Sequence, residues 1–132
     1  MKKTIWITVL LVAITAVLNQ NAVAEDAVVY GVYNPIFLGQ KGETIVRDLY
    51  INRGVESGYQ IGSTLTVYRK ISTFDLISNK LFKDLLIPIG TVKVIHSESG
   101  ASIARLDKMQ SQDQTPGFSP GFVMVGDIIR TN

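Results

Sequence analysis

Six short runs of residues typical of β-strands constrain this 132-residue chain more than any other feature of its sequence. In residues 43–51, 64–69 and 89–96 apolar and polar residues alternate, and residues 27–33 are rich in β-branched and aromatic residues. Both patterns are typical of a strand with one buried face. Glycine and other turn-forming residues lie between the runs. The runs are residues 27–33, 43–51, 64–69, 89–96, 102–106 and 127–131.

This pattern predicts a single all-β domain, either a small barrel or a sandwich. We favour a barrel of about six strands, because closure leaves no exposed strand edge. The alternation also assigns faces. One face of the second strand is expected to carry Ile45, Leu49 and Ile51 together with Arg47, and His96 is expected to share the face of Val92 and Val94.

One segment departs from the two-residue period. In residues 71–87 the apolar residues Phe74, Ile77, Leu81 and Leu85 are spaced by three, four and four positions, which is a helical period. Pro88 follows and is expected to end the element. The spacing therefore predicts a short, partly helical insertion between two strands.

Two interpretations of this insertion stay open. Its apolar side can cap an open end of the barrel, or its large apolar side chains can contact another protein. The candidate interface consists of Phe74, Leu76, Leu81, Phe82 and Leu85, with Leu86 beside them.

The first 24 residues have the three parts of a secretory signal peptide. Lys2 and Lys3 precede an apolar run at residues 5–18, and Ala22-Val23-Ala24 forms a small-x-small cleavage pattern. The apolar run is shorter than the ~20 residues of a transmembrane helix. We expect cleavage between Ala24 and Glu25, a barrel domain at residues 25–132, no membrane span after cleavage, and location in the periplasm.

Charge and composition exclude several classes of function. The signal segment holds two of the 13 basic residues and none of the 11 acidic ones, so the remaining chain has no basic excess to attract nucleic acid. The chain has no cysteine and one histidine. A disulfide, a thiolate metal site, a cysteine nucleophile and any motif with two histidines are therefore excluded.

Three glycines, Gly54, Gly58 and Gly62, repeat at intervals of four residues. This spacing is typical of packed transmembrane helices, but that mechanism needs an apolar helix, and polar residues such as Glu56 and Gln60 lie between these glycines. We expect them to be turn glycines with positive φ.

The sequence offers no catalytic, metal-binding or cofactor-binding residues that we would assign. His96 can act as a base for Ser97 or Ser99 only if Asp107 orients it, and Glu98 and Asp107 can form a carboxylate pair only if the fold brings them together. Isolated residues of these kinds are more often structural, so we expect a protein that is not an enzyme and has no cofactor.

The middle of the chain resembles a known family. Residues 50–69, from Tyr50 to Val-Tyr-Arg69, contain a strand, an Asn-x-Gly turn, a Gly-x3-Gly turn and a second strand, and residues 89–95, 102–106 and 126–129 continue the pattern. This arrangement resembles the C-terminal β-domain of the flagellar assembly protein T family. A similar domain ends many LysM-containing cell-envelope proteins. The resemblance implies a small, non-catalytic, periplasmic β-barrel.

Two functions follow as expectations. The first is a structural interaction module that either docks on a larger cell-envelope assembly or self-assembles. The resemblance implies the flagellar motor and basal body as an example of such an assembly. The alternative is a module that binds peptidoglycan or another glycan. An apolar patch on residues 71–87 would favour the first, and a groove lined by several tyrosines with asparagine or aspartate nearby would favour the second.

Overall fold

The computed structural model describes residues 26–42 and 45–132, and within them the chain is all-β, as the sequence predicts. The signal peptide expected at residues 1–24 lies outside the described residues, as do Glu43 and Thr44. Two single-turn 3₁₀ helices, Val55–Ser57 and Gln112–Gln114, lie between strands. The strands are β1 Ala27–Tyr33, β2 Asp48–Ile51, β3 Thr64–Asp75, β4 Lys80–Glu98, β5 Ala101–Met109 and β6 Ile128–Thr131.

These strands pair antiparallel in the order β1-β2-β5-β4-β3-β6, and β6 pairs back to β1. The sheet is therefore a closed ring. The seam between β1 and β6 is short, with Ala27 opposite Ile129 and Val28 opposite Ile128. A salt bridge between Asp26 and Arg130 crosses the same seam at its outer end.

The inside of the ring is the hydrophobic core. Alternate residues of each strand point inward, so that pairs such as Leu49 and Ile51, or Leu65 and Val67, are almost fully buried. Burying an aliphatic side chain of this size contributes roughly 1.5–3 kcal/mol to folding. The fully buried members of the core, with at most 1% exposure, are Ala27, Val29, Leu49, Ile51, Leu65, Val67, Ile89, Val92, Val94, Ala104 and Ile129.

The prediction of a partly helical insertion at residues 71–87 is wrong. β3 and β4 continue past the ring as a two-stranded ribbon, in which Phe74 is opposite Leu81 and Asp75 is opposite Lys80. The tight turn between them reverses the chain, and the Asp75 carboxylate stabilises it by accepting a hydrogen bond from the backbone N–H of Ile77 at 2.9 Å. The helical spacing came from two strands and a turn read as one element.

Pro88 does not end an element, contrary to the expectation. It lies within β4, opposite Tyr68, where the pairing register of β3 and β4 shifts between Val67 and Tyr68. A proline has no N–H to donate to a neighbouring strand, and such an irregularity tolerates it.

Two face assignments also need correction. β2 begins at Asp48, and Ile45 is 55% exposed instead of buried beside Leu49. In β4 the register with β5 shifts between Val94 and His96, so the inward alternation ends at Val94 and His96 lies exposed on the surface.

Candidate functional site

The ribbon, defined as residues 71–87, extends beyond the ring. β6 pairs with β3 from Leu65 to Tyr68, and β5 pairs with β4 from Gly90 to Glu98. Beyond these points no third strand of the described chain pairs with either edge of the ribbon. Backbone N–H and C=O groups at such edges are a template for pairing with another strand.

The side chains of the candidate interface are exposed on this ribbon. Leu76 and Ile77 at the turn are 85% and 99% exposed, and Phe74, Leu81, Phe82 and Leu85 are each between two-fifths and about half exposed. None of them belongs to the core cluster or to the partly buried side chains packed against it. These exposed side chains therefore contradict the interpretation in which the insertion caps an open end of the barrel.

The two phenylalanines lie on opposite faces of the ribbon. Thr73 is opposite Phe82, and the next pair along is Phe74 opposite Leu81. Successive pairs in a two-stranded sheet point to opposite sides, so Phe82 lies on one face and Phe74 with Leu81 on the other. Lys80 lies over the Phe82 ring, 5.2 Å from its centroid. The ribbon thus has apolar side chains on both faces and at its tip.

A bulge shapes the base of the ribbon. The register shifts between Ile71 and Thr73, and Asp84 on the facing strand has a positive φ of 61°. Bulges of this kind bend and twist a strand pair. The Asp84 carboxylate lies 3.5 Å from the Lys70 ammonium, in an exposed ion pair that contributes little to stability.

Gly54 differs from the other two turn glycines. Gly58 and Gly62 have φ values of 86° and 88°, in the left-handed region that favours glycine. Gly54 has an extended backbone with φ −131°, contrary to the expected positive φ. A Cβ atom there would lie 1.7 Å from the carbonyl oxygen of Glu98, so this position needs glycine because the β4–β5 turn packs directly against it.

Glu56 reinforces that contact. Its Oε1 accepts a hydrogen bond of 2.7 Å from the backbone N–H of Gly100, in the β4–β5 turn. Hydrogen bonds from backbone N–H groups, chiefly its own, hold the pKa of the Glu56 carboxyl below its ordinary value. The segment that carries the family resemblance therefore contacts the end of the ring opposite the ribbon.

The acid–base arrangements considered from the sequence are not assembled. His96 Nε2 lies 3.1 Å from Glu98 Oε1, while Asp107 contacts the hydroxyl of Thr91 at 3.4 Å. Glu98 is paired with Ala101 next to the β4–β5 turn. Asp107 lies near the other end of β5, so the two carboxylates do not form a pair.

A row of side chains on the outside of the ring begins with the exposed Tyr30 and the half-buried Tyr50, and the sequence alone does not bring these two rings together. The rings of Tyr30 in β1 and Tyr50 in β2 have centroids 6.0 Å apart and are tilted by 41°. Gly31 makes this approach possible, because a Cβ atom there would lie 3.1 Å from the Tyr50 ring. The dipeptide Tyr30-Gly31 is the sequence signal, but the strand order that pairs it with Tyr50 cannot be read from sequence.

This row continues across two more strands. Tyr50 is opposite Ile103 in β5, and Ile103 is opposite His96 in β4. A shallow surface depression of about 260 Å³ lies along the row. Its lining residues are Tyr30, Tyr50, His96, Glu98, Ala101, Ser102 and Ile103.

A buried ion pair holds the segment that leads into β6. Arg69 donates hydrogen bonds to both oxygens of Asp127 at 2.9 and 2.8 Å and to the carbonyl oxygen of Phe122 at 2.8 Å. The bond to Asp127 raises the pKa of the Arg69 guanidinium, which keeps its charge. The arrangement is structural, since it satisfies Arg69 and fixes residues 122–127 against β3.

Within residues 26–42 and 45–132, no cluster of three acidic or histidine side chains is placed to hold a metal ion. The same residues contain no helix with the length and apolar character needed to cross a membrane. No model of a protein family, no curated protein and no solved structure matches the chain. The resemblance to the flagellar assembly protein T family thus stays a prediction.

Proposed function

We propose that the chain is a non-catalytic periplasmic interaction module, a small β-barrel that docks on a larger cell-envelope assembly through the ribbon. The observation that carries this proposal is the ribbon itself, with its unpaired edges and with apolar side chains on both faces. The resemblance stated above makes the flagellar motor and basal body the first assembly to examine.

The geometry of the ribbon favours insertion over flat docking. A flat partner surface would cover Phe74 or Phe82, but not both, because they lie on opposite faces. Two kinds of partner surface would cover both phenylalanines. One is a cleft between two elements of the partner, and the other is a partner strand that pairs with a ribbon edge while the rest of the partner's sheet covers a face of the ribbon. The partner we propose is therefore an envelope protein with an exposed strand next to an apolar cleft.

The lysines of the ribbon restrict which strands can pair with it. Lys70, Lys80 and Lys83 all lie on or beside the unpaired segments, and lysine on an edge strand is a common protection against unspecific pairing. A partner with carboxylates beside its own edge would neutralise these charges. Selective pairing of this kind fits a docking module better than an unprotected edge would.

Site-specific photo-crosslinking tests the proposal. A photoreactive residue in place of Ile77 should give a crosslinked envelope protein, identified by mass spectrometry. The double variant Phe74→Ser/Phe82→Ser should abolish that product while its thermal unfolding stays close to that of the wild type, since both side chains lie outside the core.

The matched control is Ile36→Ser/Phe37→Ser, which removes two exposed apolar side chains from another loop. It should leave the crosslinked product intact. If the ribbon variant folds and the product persists, the ribbon is not the docking element.

A further inference from the structure

We propose that the row formed by Tyr30, Tyr50, His96 and Glu98 on the outside of the ring is a binding site for a neutral saccharide. It lies on a different surface from the ribbon. β4 carries Phe82 near one end and His96 near the other, about 45 Å apart along the strand at about 3.3 Å per residue. Failure of one proposal therefore leaves the other untouched.

The aromatic half of the site is built to receive a ring. Tyr30 is 55% exposed, and its ring and that of Tyr50 form a shallow V with centroids 6.0 Å apart. The C–H face of a pyranose packs on the face of an aromatic ring through dispersion and weak C–H contacts. Ile103, opposite Tyr50, extends the apolar floor.

The polar half lies beside it on β4. The His96–Glu98 contact at 3.1 Å uses Oε1 of the carboxylate, and the carboxylate has further lone pairs that accept hydrogen bonds from adjacent sugar hydroxyls. The imidazole and the carboxylate are both well exposed, with 55% and 75% of their side-chain surface open. An aromatic platform next to a carboxylate gives both of the contacts that a polyhydroxylated ring needs.

Size and charge define the ligand class. The depression of about 260 Å³ is smaller than the roughly 300–1,000 Å³ of an enclosed small-molecule pocket, so it accommodates one ring and not a large cofactor. Glu98 disfavours an anionic ligand. The neighbouring Asp48 and Arg105 form an ion pair and add no net charge. A neutral pyranose within an oligosaccharide satisfies these limits.

NMR titration of the purified, isotope-labelled protein tests this inference, with tri-N-acetylchitotriose and maltotriose as probes. At least one probe should give saturable shifts centred on Gly31, Tyr50 and Ile103, at about millimolar concentrations because the site is open and small. Tyr30→Ala and Glu98→Gln should each weaken binding by about tenfold or more, which is the loss of one good contact.

Tyr33→Ala is the matched control, because Tyr33 is 53% exposed on the same strand but does not line the depression. It should bind as the wild type does, and so should the ribbon variant Phe74→Ser/Phe82→Ser. The inference is overturned if neither saccharide gives saturable shifts, if Tyr30→Ala and Glu98→Gln bind normally, or if choline, a cationic probe, binds the row more tightly than the saccharides.

Discussion

At several positions of this chain neighbouring atoms determine which residue fits, and Gly54 is the clearest case. Its backbone conformation is open to any residue, but the carbonyl oxygen of Glu98 occupies the position of a side chain. Gly58 is the opposite case, since a Cβ atom there would meet nothing within 4 Å but the φ of 86° is unfavourable. The sequence predicts that both are turn glycines. Only the fold shows that Gly54 is required by a close contact and Gly58 by its positive φ.

This difference gives a prediction at the residue scale. Gly54→Ala should destabilise the protein by about 1–3 kcal/mol or more, because the β4–β5 turn must move, as in an overpacked core. Gly58→Ala should cost only about 1 kcal/mol for its left-handed backbone. Urea unfolding of the two variants measures both. Equal destabilisation would show that the close contact with Glu98 is readily relieved.

At the scale of elements, the seam between β1 and β6 is the part of the ring with the shortest pairing. Asp26 and Arg130 strengthen it with two hydrogen bonds of 2.8 Å. The hydrogen bond from Arg130 holds the pKa of the Asp26 carboxyl below its usual value of 3.8. A carboxyl with a lowered folded-state pKa adds stability above its unfolded-state pKa and loses it as the pH falls through the folded-state pKa.

The corresponding prediction concerns acid stability. The melting temperature of the wild type should exceed that of Asp26→Asn near pH 7. The difference should begin to shrink as the pH falls below about 4, where the unfolded carboxyl becomes protonated, and should vanish below the lowered folded-state pKa of Asp26. The pair is partly exposed, so the difference should be small and should shrink in high salt. Calorimetry at several pH values measures it. A difference in melting temperature that does not change with pH would show that Asp26→Asn acts through altered packing and not through loss of the carboxylate charge.

The elements also show where sequence reasoning succeeds. All six strands were predicted, because a two-residue period and β-branched residues are local signals. The ribbon was missed because Phe74, Ile77, Leu81 and Leu85 mimic a helical period across a turn, and a short apolar segment does not reveal whether it reverses. The Tyr30–Tyr50 row was missed because it depends on which strands are neighbours, and that order is not local.

On the scale of the whole molecule, most residues of the buried core lie in the strands of the ring, Tyr59 and Val123 join it from connecting segments, and the first strand begins at Ala27. The first 24 residues are predicted to be an export signal, and their removal would leave every described strand intact. N-terminal sequencing of the protein from fractionated cells should give Glu25 as the first residue, in the periplasmic fraction. A protein that starts at Met1 in the membrane fraction would contradict this prediction.

The continuity of β4 has a mechanical consequence. The ribbon lies at one end of this strand, and β5 is bonded along the other end, from Gly90 to Glu98. A pull on the ribbon along the strand axis loads the β4–β5 ladder in shear, so that many backbone bonds carry the force together. A pull that separates β3 from β4 at the tip would instead unzip one pair at a time. The direction of a force on the ribbon therefore decides whether the whole β4–β5 ladder resists it or the ribbon separates from its tip.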